Sequence, residues 1–500
     1  MVLSMDKINP PGRLALWASM ALCACFVLSA AARAQGPEVA HGQPPTGGED
    51  VADRLAPVPG GLTADEAARR AIERAPQLVE AAARRDEAAA NQKTARVGLY
   101  PQLGLSASYT RLSRVDLPPF DLGGGNSFPN PFPQVLNNYS LQAGLQIPLT
   151  QIFLSALPAM RAAGHGVDAA RYQLAAQRAA VALQARQAYY GVVRARAQAV
   201  VADNSVRLLE ALAGQTQQLL EQGLVARADL SQIEAALEGA RVQREKAEGD
   251  VRIARAELAR WTGIDPSVPV RFGERFEVAD RTMPPASVDE LVARALRDRP
   301  EVSALRALVQ ARRLAARAAR AGMYPELSAV ASVEYSRPNQ RVIPPEEKFD
   351  ESWAVGAKVA WSPNGFAASK HQTDAARAQL TQASAQLVDL ERGVRVQVVQ
   401  ALSGLRVADG SIDAAGKAVA AATDAFEARV LRQRAGTVTA NDVLDAESAL
   451  RKAQADRIDA HVGYRLAEAG LQFAVGVLPA AGGAQTAPAL DPSRSDSRQQ

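Results

Sequence analysis

Few side chains in this 500-residue chain stand at spacings that could do chemistry. The four histidines, His41, His165, His371 and His461, are scattered without ligand spacing, so each reads as a packed or solvated imidazole. Both cysteines, Cys23 and Cys25, fall in an N-terminal apolar run. Gly123-Gly124-Gly125 does not lead from a strand into a helix and is no phosphate loop. No Walker motif and no Ser/His/Asp constellation is visible, and Arg312, Arg313, Arg317 and Arg320 read as a solvated helix face. These residues predict no enzymatic activity, no metal site and no cofactor. The informative content lies in the elements around them.

The N-terminus reads as a secretory signal. Lys7 and Arg13 flank an apolar run over residues 14–31, and Ala32-Arg33-Ala34 is a small-x-small cleavage site before Gln35. A membrane anchor is the alternative, although the run is short for a span. Leu22-Cys23-Ala24-Cys25 loosely resembles a lipid-acceptor site, against which the apolar Phe26-Val27-Leu28 argues. Cleavage leaves a mature chain without cysteine, hence without disulfide or thiol chemistry. The formal net charge of +4 drops further when Lys7, Arg13, Arg33 and Asp6 leave, and is too weak to suggest nucleic acid.

Between these ends the chain is duplicated. Residues 63–103 align with 287–327 without a gap: Asp65 and Glu66 match Asp289 and Glu290, Pro76 matches Pro300, and Tyr100-Pro101 matches Tyr324-Pro325. At its own offset, the stretch from Gly223 to Asp229 matches that from Gly436 to Asp442. The predicted organisation is a signal peptide at 1–34, a flexible leader at 35–61, a first repeat at 62–275, a second at 276–478 and a disordered tail at 479–500.

Each repeat carries two segments of period two. Leu103, Leu105, Ala107 and Tyr109 alternate with Gly104, Ser106 and Ser108; Tyr139 to Ile147, Leu327 to Tyr335 and Trp353 to Trp361 do likewise, with Val330 breaking the pattern. Strands are predicted at about 102–112, 139–148, 326–336 and 352–361. About ten alternating residues with aromatic ends suits a transmembrane barrel strand, and also a soluble sheet with one wet face. Four strands cannot close a barrel, and an open sheet in a bilayer leaves unsatisfied edges. If they span a membrane, several chains share one barrel.

The helical signal is stronger. From Val181 through Ala185, Ala188 and Val192 to Ala213, steps of four and three alternate without a slip, and Val394 to Phe426 repeats this in register. The long helix, 157–222, would span about 100 Å, and shorter helices at 64–99 and 229–261 together nearly match it. With aromatics at 5%, long packed helices suit the chain better than large globular cores. Pro101 and Pro325 stand where helix gives way to strand, and Pro148 and Pro363 where strand gives way to helix. Proline fits such junctions because it neither continues a helix interior nor donates in a central ladder.

A secreted, cysteine-free duplication of strand pairs and long helices resembles the TolC family of outer-membrane efflux proteins over about residues 62–478. The most specific motif runs from Gly436 through Asp442 and Asp445 to Leu450, and looks like the family's turn into the last helix; Gly223 to Leu237 is its degenerate partner, and Ala188-Tyr189-Tyr190 resembles a family helix motif. The resemblance implies a mixed α and transmembrane β fold. Three chains of four strands would complete a 12-stranded β-barrel in the outer membrane, and their helices would form a periplasmic α-barrel. Residues 111–138 and 337–351 would be extracellular loops, and Gly223 and Gly436 would mark periplasmic turns.

The resemblance also implies partners: two further copies of the chain in a homotrimer, a periplasmic adaptor (membrane fusion) protein, an inner-membrane transporter of RND, ABC or MFS type, and outer-membrane lipid, with no nucleic acid. Asp442 and Asp445 would line a periplasmic aperture, a narrow anionic constriction favouring cations. Asp442 as a helix cap is the alternative, compatible with the first. Val438 stands where the family often has a basic residue tied to gate closure. The implied function is a passive exit duct of a tripartite efflux or type I secretion system. The rival reading is a secreted structural coiled coil or adhesin without a pore. Cargo is not legible.

Overall fold

The computed structural model describes residues 51–115, 120–121, 127–128, 134–279, 281 and 283–477. The signal peptide, most of the leader, the tail and half of the 111–138 loop lie outside the described residues.

Four strands form one antiparallel sheet: β1 (Gln102–Arg111), β4 (Asn137–Ile147), β5 (Glu326–Arg337) and β6 (Asp350–Ala360), in the order β1-β4-β5-β6. Between β1 and β4 a two-residue pair, β2 (Phe120–Asp121) and β3 (Ser127–Phe128), forms a small hairpin in the loop. Thus β1 pairs with β4 within the first repeat, β5 with β6 within the second, and β4 with β5 joins the two.

The register sorts the side chains cleanly. Leu103, Leu145, Ala331 and Val355 lie in one row across all four strands, and Leu105, Ala143, Val333 and Trp353 in another. Their neighbours on the opposite face are Gly104, Gly144, Ser332 and Ala354, then Ser106, Gln142, Glu334 and Ser352. Successive strand side chains alternate sides, so one face is apolar and the other small or polar. Val330, which breaks the sequence pattern, lies on the polar face between Gln146 and Gly356. The apolar face is bare: Leu105 is 77% exposed, Val355 74% and Trp353 70%. No helix among the described residues is long and apolar enough to cross a membrane, which says nothing of a sheet.

The helices form columns. In chain order they are α1 (Val51–Arg54), α2 (Ala64–Arg74), α3 (Pro76–Val97), α4 (Leu149–Gln151), α5 (Leu157–Glu221), α6 (Arg227–Thr262), α7 (Val288–Asp298), α8 (Pro300–Ala319), α9 (Pro363–Arg434) and α10 (Ala440–Val475). A π-helical turn, Ile152–Ala156, joins α4 to α5, and a 3-10 turn, Arg320–Met323, ends α8. At 1.5 Å per residue α5 and α9 run about 98 and 108 Å. Near the sheet α5 meets α3 at Leu78, Leu174 and Val181; farther out it meets α6 at Leu209, Leu212, Ile233 and Leu237. So α3 and α6 stack end to end beside α5, as α8 and α10 do beside α9.

The expected single helix over 64–99 is broken at Ala75, whose ψ is 121°. Pro76 supplies no N–H and collides with the preceding turn, so α2 ends there and α3 begins with proline at its first position. Pro300 does the same between α7 and α8. The freed segments α2 and α7 instead pack beside the middle of α5 and α9 with residues 264–279 and 283–287, forming a waist. Thr63 and Ser287 cap α2 and α7, each oxygen accepting from the N–H of Glu66 or Glu290; at Ser287 the Glu290 carboxylate also accepts from the Ser287 N–H at 2.8 Å, a bond that α2 lacks.

The leader also departs from expectation. Residues 51–61 are ordered against the waist: Leu55 is buried beside Tyr189 and Phe272, and the Val58 N–H donates to the Phe272 carbonyl at 2.8 Å. Apolar Val51, Leu55 and Leu62 outweigh the Pro and Gly around them. The helical seam holds with single-residue departures: Val181, Ala185, Val394 and Val398 are fully buried, but Leu212 is buried one residue before the expected Ala213 and Leu402 one residue after the expected Ala401.

The two long helices differ in burial. Helix α5 packs on α3, α6, α8 and α10 and buries 22 of its 65 residues, whereas α9 packs on α7, α8 and α10 and buries 12 of 72. So α5 is an inner column and α9 an edge. The bare side of α9 carries a second stripe, Val396, Val399, Ser403, Val407, Gly410 and Ala414, all exposed. At the other edge α6 bares Ala235, Gly239, Val242, Lys246 and Ile253. The edge α3/α6 continues into β1, and the edge α9 continues from β6, so sheet and columns are open on the same two sides.

Candidate functional site

The two helical hairpins meet at the end remote from the sheet. Glu221 gives way to Gly223 and Arg434 to Gly436, both glycines at positive φ (71° and 70°). The closures are identical: Gly223 and Gly436 donate to the carbonyls of Leu220 and Gln433, and Leu224 and Thr437 donate to those of Leu219 and Arg432. This is a glycine C-cap with two reversed bonds, which needs the left-handed conformation that glycine adopts without strain. Beneath both turns Val206, Leu209, Ile233, Phe426, Val430 and Val443 form one core.

The hairpins differ at the next helix start. Thr439 caps α10: its hydroxyl accepts from the Asp442 N–H at 3.3 Å, while the Asp442 carboxylate accepts from the Thr439 N–H at 2.9 Å and its hydroxyl at 2.8 Å. In α6 only half of this exists, since Ala226 has no side-chain acceptor and Asp229 merely accepts from the Ala226 N–H at 3.2 Å. Arg429 adds an ion pair to Asp442 at 3.3 Å. The Thr439 hydroxyl first, its N–H next, and Arg429 hold the Asp442 carboxyl below the usual carboxylate range. Asp442 is thus a helix cap and a persistent anion. Asp445, one turn on, is exposed, and no ion pair to it occurs among the described residues.

Apart from Val438, the tip residues that follow escaped the sequence reading. Val438 packs into the tip core, leaving no cation at that position. Instead Arg434, at the end of α9, donates to the Gln215 side-chain oxygen on α5 at 3.2 Å, tying one repeat to the other. Beside this link Gln433 and Thr216 are buried, and neither amide atom of Gln433 nor the Thr216 hydroxyl has a hydrogen-bond partner. They continue the apolar seams of α9 and α5 with polar groups. Glu447 is also buried; it accepts from the Ser205 hydroxyl and pairs with Arg451 at 3.5 Å. Its four-residue spacing from Val443 and Arg451 was a usable signal for a buried carboxylate with a local cation.

The remaining predicted positions are junctions. Pro101 and Pro325 immediately precede β1 and β5, Pro148 separates β4 from α4, and Pro363 opens α9 after the Ser362 cap. Among the described residues no three His, Cys, Asp or Glu side chains converge as a metal site. The tip can therefore fix charge and hold or release two hairpins.

Comparison with known proteins gives a consistent answer. Residues 67–264 and 291–477 match the model of a family described as outer membrane efflux protein. The Outer membrane protein TolC of Escherichia coli (strain K12) is 26% identical over 418 residues, covering 81% of this chain and 80% of that protein. The CmeC outer membrane channel of Campylobacter jejuni superposes with a TM-score of 0.70 at 16% identity, covering 83% of this chain and 85% of CmeC. The outer membrane protein VceC of Vibrio cholerae superposes with a TM-score of 0.68 at 19% identity, covering 83% and 96%. The fold is that of these channels.

Proposed function

The chain belongs to the outer membrane efflux protein family, and on that footing we propose that it is the passive exit duct of a tripartite efflux or secretion system. The protein lies in the outer membrane with its helices extending into the periplasm. The observation that carries the reading is that sheet and columns are open on the same two sides. An edge formed by β6 and α9 that meets the next copy's β1 and α3/α6 makes a head-to-tail contact, and such contacts generate rings when the rotation closes. Closure removes the unpaired strand edges that a bilayer does not tolerate. Three copies give a 12-stranded barrel with an apolar exterior and a polar lumen, within the range of known barrels.

At the far end three hairpin pairs converge, and Asp442 and Asp445 ring the aperture. A partner supplies the energy, through a periplasmic adaptor and an inner-membrane transporter. The test is purification in detergent, mass measurement and bilayer reconstitution. The expected outcome is a particle of three chains that conducts ions; a soluble monomer that forms no channel overturns the reading.

A further inference from the structure

We propose that the outer end of the sheet's apolar face binds the phosphate of an anionic lipid headgroup, held by Arg111 and Arg337. The inference rests on that face meeting membrane lipid. Its last two rungs, remote from the helices, are Tyr109–Tyr139–Arg337 and Arg111–Asn137. Side-chain contacts fix the side: the Tyr109 hydroxyl donates to the Asn137 side-chain oxygen at 3.1 Å, and Arg111 Nη1 reaches the same oxygen at 3.5 Å.

Just inside these arginines lies an aromatic chain. Ring centroids of Tyr109 and Tyr139 are 4.9 Å apart, Tyr139 and Phe349 5.9 Å, and Phe349 and Tyr335 5.2 Å. Such a row marks the membrane–water boundary of a barrel. Arg111, one rung beyond its outer tyrosines, and Arg337, level with them, stand at headgroup depth, where lipid phosphates are. Both are arginine, whose planar fork matches phosphate oxygens in pairs. They flank β4 on either side, two strand spacings and two residues along the strand apart, about 12 Å, a gap that two arginine arms can close on one phosphate.

Both arginines keep donor groups to spare. Arg111 is exposed, with the single long contact to Asn137 among its described interactions. Arg337 pairs with Glu347 at 3.0 Å, but Glu347 is 64% exposed, so that bond is weak. The Arg337 Nε is buried and has no partner. Glu351 on the same face lies opposite Tyr335, one rung nearer the middle of the sheet.

The test is native mass spectrometry of the full detergent-solubilised protein titrated with phosphatidic acid, phosphatidylcholine or inorganic phosphate. The expected result is preferential retention of phosphatidic acid, reduced about fivefold by Arg111→Gln and again by Arg337→Gln, the usual worth of one cation near an anionic surface. Arg111→Gln is decisive, because it disturbs no ion pair. Equal retention of the two lipids, unchanged binding by Arg111→Gln, or full displacement by inorganic phosphate would each overturn the proposal. A protein that conducts in bilayers but shows no lipid preference refutes this site and leaves the duct standing; one that never enters a bilayer removes both.

Discussion

Arg434 and Gln215 join the two repeats at the helical tip: the guanidinium at the end of α9 donates across to the side-chain oxygen on α5, 3.2 Å away. No short sequence distance predicts this bond, since 219 residues separate the partners. A charged donor to a neutral acceptor is worth about 1.5–3 kcal/mol when buried and less here, where it is partly exposed. If the tip is the gate, Arg434→Ala and Gln215→Ala should each raise single-channel conductance or open probability, and the double variant should add little to either. Additive effects in that cycle would show that the two residues do not act as a pair.

The polar groups beside this link give a prediction of opposite sign. Gln433 and Thr216 are buried without hydrogen-bond partners in the described structure. Replacing such groups with apolar ones of similar shape is neutral or stabilising, on the order of 1 kcal/mol. Gln433→Leu and Thr216→Val should tighten the tip, lowering conductance while raising the thermal midpoint. A conductance rise in either variant would mean that these side chains hold the tip shut.

Asp442 and Asp445 are predicted to set the ion preference of the aperture. Asp442→Ala and Asp445→Ala together should weaken block by divalent cations and cation selectivity. Asp442→Ala also removes the carboxylate half of the α10 capping box, at up to about 1 kcal/mol, while the Thr439 hydroxyl still accepts from the residue-442 N–H. Asp442→Asn keeps an acceptor for the Thr439 N–H and so separates charge from capping. Because the Thr439 bonds and Arg429 hold the Asp442 carboxyl low, its share of the selectivity should persist below the ordinary aspartate range near pH 3.8. Wild-type selectivity and block in the double variant would displace the aperture from these residues.

His461 supplies the pH dependence. Its Nδ1 accepts from the Val278 N–H at 3.1 Å, and its ring meets Phe276 edge-on at 6.0 Å. Burial first, then Arg457, Arg281 and Arg465, push its pKa down to about 4. Between the ordinary value of 6.5 and about 4, the unfolded chain takes up a proton that the folded one refuses. Stability is therefore full above pH 6.5 and falls on acidification through 4, by on the order of 3 kcal/mol in total. His461→Gln should flatten this part of the thermal-midpoint curve; parallel curves for the two proteins would exclude His461 as its source.

Strand alternation, the helical seam and the proline junctions were all local patterns, and a local pattern survives folding when one face must find an apolar surface. Leu103, Leu105 and Tyr109 declared a face by parity alone, and Val181 to Leu209 declared a seam by spacing. What was misread followed from competition between local signals. A proline outweighed a helical run at Ala75–Pro76, and buried Leu55 outweighed a Pro- and Gly-rich leader.

The sequence by itself determined the doubled strand–helix plan, the glycine turns at Gly223 and Gly436 and the family, because each is written in the order of residue types along the chain, within one element or repeated at a fixed offset. Only the tertiary structure decided which strands pair between repeats, that α5 is an inner column and α9 an edge, and which polar groups meet at the tip. Those facts depend on contacts such as Arg434 to Gln215 and Ser205 to Glu447, between residues more than 200 positions apart. Packing brings such residues together through the whole folded core, and no periodicity in the chain records their meeting.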